Sequence, residues 1–228
     1  MVHPFDPARP ADVDLRRIAG TFVDAAQDRA IKRGYLRHFA GARRVLDIGC
    51  GEGAFLDLLR DAGVPALGLD GSHAATAACA ARGHRVVTGD AVVLLRRLHE
   101  EREQFDGALL AHVVEHLPAA GVVDLLAAAA RVLAPAGRLL VATPNARNLI
   151  VLTELFWLDP THMRPYPRPL LERLGAAVGL RTVASYDDAA TVPRRSPGRR
   201  LLARARSLLS GADRSSALDA VVVFERAP

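Results

Sequence analysis

The chain has 228 residues, half of them hydrophobic and 24% charged; that length and balance support one globular domain with its own core and exclude a disordered or fibrous chain. A net charge of +5 admits an acidic partner, yet Lys32 is the one lysine and the arginines are spread along the chain except in one C-terminal stretch. Cys50 and Cys79 have neither CxxC nor metal-type spacing, so reduced thiols and a cytoplasmic location are expected. The first residues carry charges and prolines where a signal peptide needs an apolar core. The longest apolar run, 117–134, is interrupted by Asp124 and Arg131, so no membrane span is expected.

Residues 1–42 read as an N-terminal helical extension, with Ile18, Phe22, Ala25, Ala26 and Arg29 at amphipathic spacing. From residue 43 to 228 the chain reads as one domain in which strands alternate with helical patterns. RRVLDIG (43–49) is a buried strand and 53–61 the helix after it. VPALGLD (64–70), a helix over 72–82, HRVVTGD (84–90), a helix over 91–103 and FDGALLAH (105–112) follow in turn. Val122, Leu125, Leu126, Ala129, Val132 and Leu133 mark a helix over 119–133, and the turn Pro135-Ala136-Gly137 delivers RLLVATP (138–144). A helix at 168–178 precedes LRTVASY (180–186), and LDAVVVFER (218–226) is the seventh strand. This alternation predicts an α/β fold, a doubly wound and mostly parallel sheet. Residues 144–167 are irregular and rich in Pro, Asn, Trp and His, as a functional loop over a rigid scaffold would be, and 187–217 form a polar, Arg-rich insertion.

In VLDIGCGEGAFL (45–56) an acidic residue ends a strand, and Gly49, Gly51 and Gly53 make the turn into a helix. Glycines there permit positive φ and let a ligand approach without meeting a Cβ. Gly49-x-Gly51-x-x-Ala54 also satisfies the dinucleotide fingerprint, so an NAD(P)-dependent oxidoreductase is the rival reading. The wider pattern over residues 40–226 resembles class I S-adenosylmethionine-dependent methyltransferases, which implies a Rossmann-like seven-stranded sheet with an antiparallel last strand. By that resemblance Asp47, Gly49, Cys50, Gly51 and Gly53 cup the methionine end of the cofactor. Asp70, with Gly71, ends strand two and accepts hydrogen bonds from both ribose hydroxyls. Asp90 and Ala91 read the adenine edge, and AHVVEHL (111–117), with His112 lining the pocket, closes the methionine side toward the acceptor.

A hydroxyl acceptor must lose its proton, so a base or a metal is expected near the transferred methyl. His116, His162 and Glu115 are the candidates for catalysis. DPTHMRPY (159–166) resembles a segment of family members that O-methylate bacterial polysaccharides, glycolipids and related metabolites. In it Arg164 is expected to hold an anionic group and Tyr166 to pack on a sugar ring, against the plainer alternative that His162 and Arg164 only tie the loop to the sheet. His112, Glu115, His116 and His162 also resemble the divalent-metal site of some RNA and quinone O-methyltransferases, with His112 where those enzymes have glutamate. That replacement weighs against a hard cation, and the metal is not the favoured reading. The expected acceptor is a small molecule or glycan. In 193–214, Leu201, Leu202, Ala205, Leu208 and Leu209 share one helical face among arginines. A solvated helix packed by its leucines is the leading reading, and contact with an anionic membrane through 194–212 the alternative. Nucleic acid is not expected, since no aromatic residues are interleaved to stack bases.

Overall fold

The computed structural model describes residues 25–192 and 215–227. The expected amphipathic positions Ile18 and Phe22, and the Arg-rich stretch 194–212, lie outside them. Helix α1 (Ala25–Tyr35) leads through a 3-10 turn (Leu36–Phe39) to strand β1 (Val45–Ile48). Then come α2 (Ala54–Asp61), β2 (Ala66–Asp70), α3 (His73–Ala81), β3 (Val86–Thr88) and α4 (Ala91–Glu100). Beyond them lie β4 (Phe105–Ala111), α5 (Ala119–Val132), β5 (Leu133–Pro144), α6 (Leu149–Thr153), α7 (Arg168–Ala177), β6 (Leu180–Asp187) and β7 (Asp219–Arg226).

The seven strands form one sheet in the order β3-β2-β1-β4-β5-β7-β6. β1 to β5 are parallel, and β7 runs antiparallel between β5 and β6. All four residues of β1 are buried, as a central strand covered on both faces requires. β2 and β4 flank β1 and leave it in opposite directions, so the crevice at the carboxyl ends of β1 and β4 is the switch point where open α/β sheets bind ligands.

Two apolar layers cover the sheet. One packs Leu95, Val122, Leu126 and Leu171 of the helices on Leu46, Ile48, Leu139 and Phe224. The other packs Ile31, Tyr35, Phe39, Phe55 and Leu59 on Val45, Leu109, Leu140 and Val223. Ile31, Tyr35 and Phe39 are therefore part of the core. Gly107 on β4 makes room for Phe39, because a Cβ there would lie 2.3 Å from the ring.

Two strands differ most from their expected lengths. β3 covers only three residues, because it is an edge strand paired with β2 alone and Asp90 already caps the next helix. β5 begins at Leu133 rather than 138: Leu133 already pairs with Phe105, and the register shift before the Gly107–Arg138 pair absorbs the Pro135–Gly137 turn as a bulge, with Ala136 at φ 60°.

Candidate active site

The chain leaves β1 through Gly49, Gly51 and Gly53, with φ of 76°, 52° and 81°. A Cβ at Gly49 would strike Val113 at 2.4 Å, one at Gly53 would come within 2.8 Å of Cys79 Sγ, and one at Gly51 would project into open space above the loop. That uncovered backbone, at the start of α2, is a cradle for a ligand. Cys79 Sγ donates to the Gly51 carbonyl beneath it at 3.2 Å. Asp70, at the end of β2, fixes the loop from the side: its Oδ2 accepts from Gly51 N at 2.8 Å and its Oδ1 from Ser72 N at 2.7 Å. Each oxygen keeps a lone pair for a hydroxyl donor. Asp90 is exposed, and its side chain caps α4 by accepting from Val93 N at 3.0 Å.

A cavity of about 760 Å³ opens beside this loop. Gly49, Cys50, Gly51, His112, His116 and His162 line it. Asp70, Gly71, Asp90 and Ala91 stand outside its wall, along the carboxyl ends of β2 and β3. An elongated ligand that starts in the cavity and crosses the glycine turn would meet them in that order. The observed cradle and acceptor set therefore fit S-adenosylmethionine.

The acceptor side is built on the end of β4. His112 has φ 56°, a conformation that is costly for a side chain with a Cβ and is typical of functional sites. Its ring lies between two carboxylates, Nδ1 3.3 Å from Glu115 Oε1 and Nε2 3.4 Å from Asp219 Oδ2. Burial works against the charged ring, but Asp219 and Glu115 outweigh it and hold the pKa well above 6.5. His112 is thus an imidazolium, unsuited to take up a proton. Glu115 is wholly buried; its Oε2 accepts from Thr143 Oγ1 at 3.0 Å, and its Oε1 has no hydrogen-bond partner among the described residues.

His116 and His162 face each other with ring centroids 4.7 Å apart. His162 Nδ1 lies 2.7 Å from the Phe156 carbonyl, which can only accept, so Nδ1 carries a proton, and Nε2 lies 3.8 Å from Asp159 Oδ2. The Thr161 hydroxyl gives its one proton to Asp159 at 2.6 Å, so His116 Nδ1, 2.9 Å from that oxygen, must be the donor. His116 keeps its lone pair on Nε2. Burial lowers the His116 pKa, with Glu115 pulling the other way and His162 adding to the depression. His116, His162 and Glu115 have ligand-type atoms all within 4.8 Å of one another.

Two expected acceptor contacts are corrected. Tyr166 is fully buried in the core, its hydroxyl donating to the Leu117 carbonyl at 2.7 Å, and cannot pack on a sugar ring. Arg164 is exposed, with its guanidinium 5.1 Å from the centre of the Tyr166 ring, and it does not line the cavity. Both residues hold the loop in place.

Other residues at the cavity went unread in the sequence. Asp28, Lys32 and Tyr35 project from one face of α1, Lys32 pairing with Asp28 at 3.0 Å. Asp219 and Leu218 come from the start of β7. The spacing 28, 32, 35 was a signal for the first group; only the sheet topology, which sets Asp219 opposite Pro144, brings in the second.

Asp47 lies buried below the glycine turn. Burial pushes its carboxyl up to about 7, Lys32 drawing it down and Asp70 and Asp28 adding to the rise. The unfolded chain releases this proton near pH 3.9 while the native state keeps it to about 7, so stability falls as pH rises through that window, by up to about 4 kcal/mol. Asp47→Asn removes the effect. Urea midpoints at about pH 5 and about pH 8 should differ clearly more for wild type than for the variant; equal differences would mean that Asp47 is ionised in the native state throughout.

A family model described as a methyltransferase domain matches residues 19–185. No curated protein matches the chain. A solved S-adenosylmethionine-dependent methyltransferase from Archaeoglobus fulgidus is 26% identical, with a TM-score of 0.75 over 89% of this chain and 95% of that one. An O-methyltransferase family protein from Burkholderia thailandensis is 18% identical, with a TM-score of 0.61 over 89% of this chain and 56% of that one. The 1,6-didemethyltoxoflavin-N1-methyltransferase of Burkholderia thailandensis, solved with S-adenosylhomocysteine bound, is 19% identical, with a TM-score of 0.63 over 90% of this chain and 80% of that one. With the glycine cradle, the Asp70 acceptor and a family match spanning more than half its length, the chain belongs to the methyltransferase-domain family and is a class I S-adenosylmethionine-dependent methyltransferase.

Proposed function

We propose that the enzyme O-methylates a hydroxyl group of a sugar, glycolipid or other small metabolite, with His116 or His162 as the base. The observation that carries this reading is the pair of imidazoles on the cavity wall, each tied through Nδ1, so that Nε2 is the nitrogen left to take a proton. S-adenosylmethionine supplies, when bound, a methyl group made electrophilic by its sulfonium. The protein's part is to position the acceptor oxygen and remove its proton as the new C–O bond forms. His112, kept charged between Glu115 and Asp219, orients that wall without taking the proton. Similar folds include enzymes named for O- and for N-methylation, so the fold does not choose the acceptor atom and the reading rests on the histidines. The two buried free thiols suit a cytoplasmic enzyme.

A second reading uses the same residues as metal ligands. It is favoured by the 4.8 Å grouping of Glu115, His116 and His162. The two Nε2 atoms suit zinc or manganese better than magnesium. The residues present fit such an ion, which would act as a Lewis acid on the acceptor oxygen.

One experiment tests both. The enzyme is given S-adenosylmethionine with a panel of sugar nucleotides, glycolipids, phenols and amines, with and without a chelator, and products are read by mass. Base catalysis predicts an acceptor heavier by one methylene and indifference to the chelator. Activity lost to the chelator and restored by zinc, manganese or magnesium would establish the metal reading instead. A panel in which only amines gain mass would overturn both.

A further inference from the structure

The cavity changes character across the sheet. On the β1 side lie the glycine turn and the charged residues around it. Over the carboxyl ends of β4 and β5, and where β7 begins, Ala111, Pro144 and Leu218 are joined by Val151, Leu155 and Phe156 of the segment after β5, and this half is apolar. Thr191 belongs to the same wall, yet its hydroxyl has no bonding capacity left. Its Oγ1 donates to the Asp188 carbonyl at 2.7 Å and accepts from Leu218 N and Asp219 N at 3.0 Å each. Other polar side chains on this side are engaged within the protein as well. Tyr35 donates to Asp188 at 3.1 Å, Asp219 pairs with His112 at 3.4 Å, and Asp159 Oδ1 accepts from the N–H and the hydroxyl of Thr161. His116 and His162, held through Nδ1, form the polar edge of the apolar half. An acceptor that fits carries its hydroxyl on one edge of an otherwise apolar body.

We propose that the acceptor is a phenol, a hydroxylated aromatic ring seated on this apolar wall with its hydroxyl at His116 and His162. The proposal narrows the O-methylation reading to one substrate class and rests on that reading. Two arguments choose an arene over a sugar. A sugar ring would bring several hydroxyls against a wall of apolar side chains and a saturated threonine, and a hydroxyl buried without a partner is costly. The base is also a weak one. Imidazole has a pKa of about 6.5, and burial lowers that of His116. A phenol ionises at about 10, whereas an aliphatic hydroxyl lies close to water at about 15.7, so the phenol is the hydroxyl matched to such a base. In the transfer the phenolic oxygen attacks the methyl carbon, and its O–H proton passes to Nε2 of a histidine, which becomes an imidazolium. The C–S electron pair returns to sulfur, so the products are an aryl methyl ether and the uncharged thioether of S-adenosylhomocysteine. The cavity, about 760 Å³ in all, is shared with the methionine end of the cofactor, which leaves room for an acceptor of about one or two rings.

Binding is measured apart from turnover. Phenol, 4-methylphenol, 4-propylphenol and methyl glucoside are titrated by calorimetry into the full-length protein saturated with S-adenosylhomocysteine. The same compounds, with sugar nucleotides and amines, are then offered with S-adenosylmethionine and the products read by mass. The expected result is binding and methylation of the phenols, with affinity rising roughly fourfold for each methylene added between 4-methylphenol and 4-propylphenol, and neither for methyl glucoside. Leu155→Asn should weaken 4-propylphenol binding by about tenfold or more, and the nearly isosteric Val151→Thr severalfold. S-adenosylmethionine affinity that stays within about twofold shows that each variant is folded. Methyl glucoside or a sugar nucleotide methylated in place of the phenols would overturn this proposal and leave O-methylation standing. So would 4-propylphenol bound no more tightly than phenol, or bound equally by wild type and both variants. Methylation of amines alone would overturn the O-methylation reading and this proposal with it.

Discussion

Replacing the proposed base, His116 or His162, by alanine should lower kcat by roughly 10²–10⁴ and leave S-adenosylmethionine affinity near wild type. His162→Ala and His116→Ala are the two variants to compare, because both rings line the cavity and are held through Nδ1. Only one of them should suffer the full loss if catalysis is by a simple base, and the other should fall modestly because the rings pack together. The pH profile of kcat assigns the role. Burial lowers the His116 pKa, so a rate that depends on neutral His116 should rise through an ionisation below 6.5 and hold at higher pH. An ionisation well above that value would point to His112 and contradict the assignment of that ring as a fixed imidazolium. Equal collapse of both variants, with activity that follows added metal, would support the metal reading. Full activity in both would remove the histidines from the chemistry.

Asp70→Ala should weaken S-adenosylmethionine binding by roughly 10²–10⁴, from two charge-assisted hydrogen bonds of about 1.5–3 kcal/mol each. The carboxylate also accepts from Gly51 N and Ser72 N, so part of the loss is a glycine turn no longer held to the end of β2. Asp70→Asn separates the contributions, since an amide can accept one of these bonds but carries no charge. It should fall between wild type and Asp70→Ala. Calorimetric titration provides the affinities, and circular dichroism checks that each variant is folded. Unchanged affinity in folded Asp70→Ala protein would mean that the ribose does not sit at the end of β2.

The parts of this enzyme that were legible in the sequence are those whose residues lie close together along the chain. A strand, a glycine turn and a helix start within residues 45–56, so their period and turn chemistry could be read directly. Each later acidic residue stood at the end of a recognisable strand. The residues that were missed reach the cavity through topology. Asp219 gets there because β7 inserts antiparallel between β5 and β6 and starts opposite Pro144. Asp28 and Lys32 get there because α1 packs over the glycine turn, and an amphipathic helix seen alone does not say which partner its polar edge will meet. Tyr166 shows the opposite failure. A tyrosine among prolines in a loop resembles a binding residue, but its ring packs in the core and its hydroxyl is satisfied by the Leu117 carbonyl, 49 residues away. The length of β5 was misjudged for a related reason, as a Pro-Ala-Gly turn can be absorbed by a bulge when the neighbouring strand supplies a pairing partner on each side.

The claim most in need of a direct test is that the methyl group goes to oxygen. The enzyme should be supplied with S-adenosylmethionine labelled with carbon-13 in the transferred methyl, together with an acceptor from the panel, and the product examined by NMR. The account predicts a single new methyl resonance at the shift of a methyl ether, one methyl for each S-adenosylhomocysteine formed, and none with the His116, His162 double alanine variant. A resonance at the shift of an N-methyl, C-methyl or S-methyl group, formed at an undiminished rate by the double variant, would contradict it.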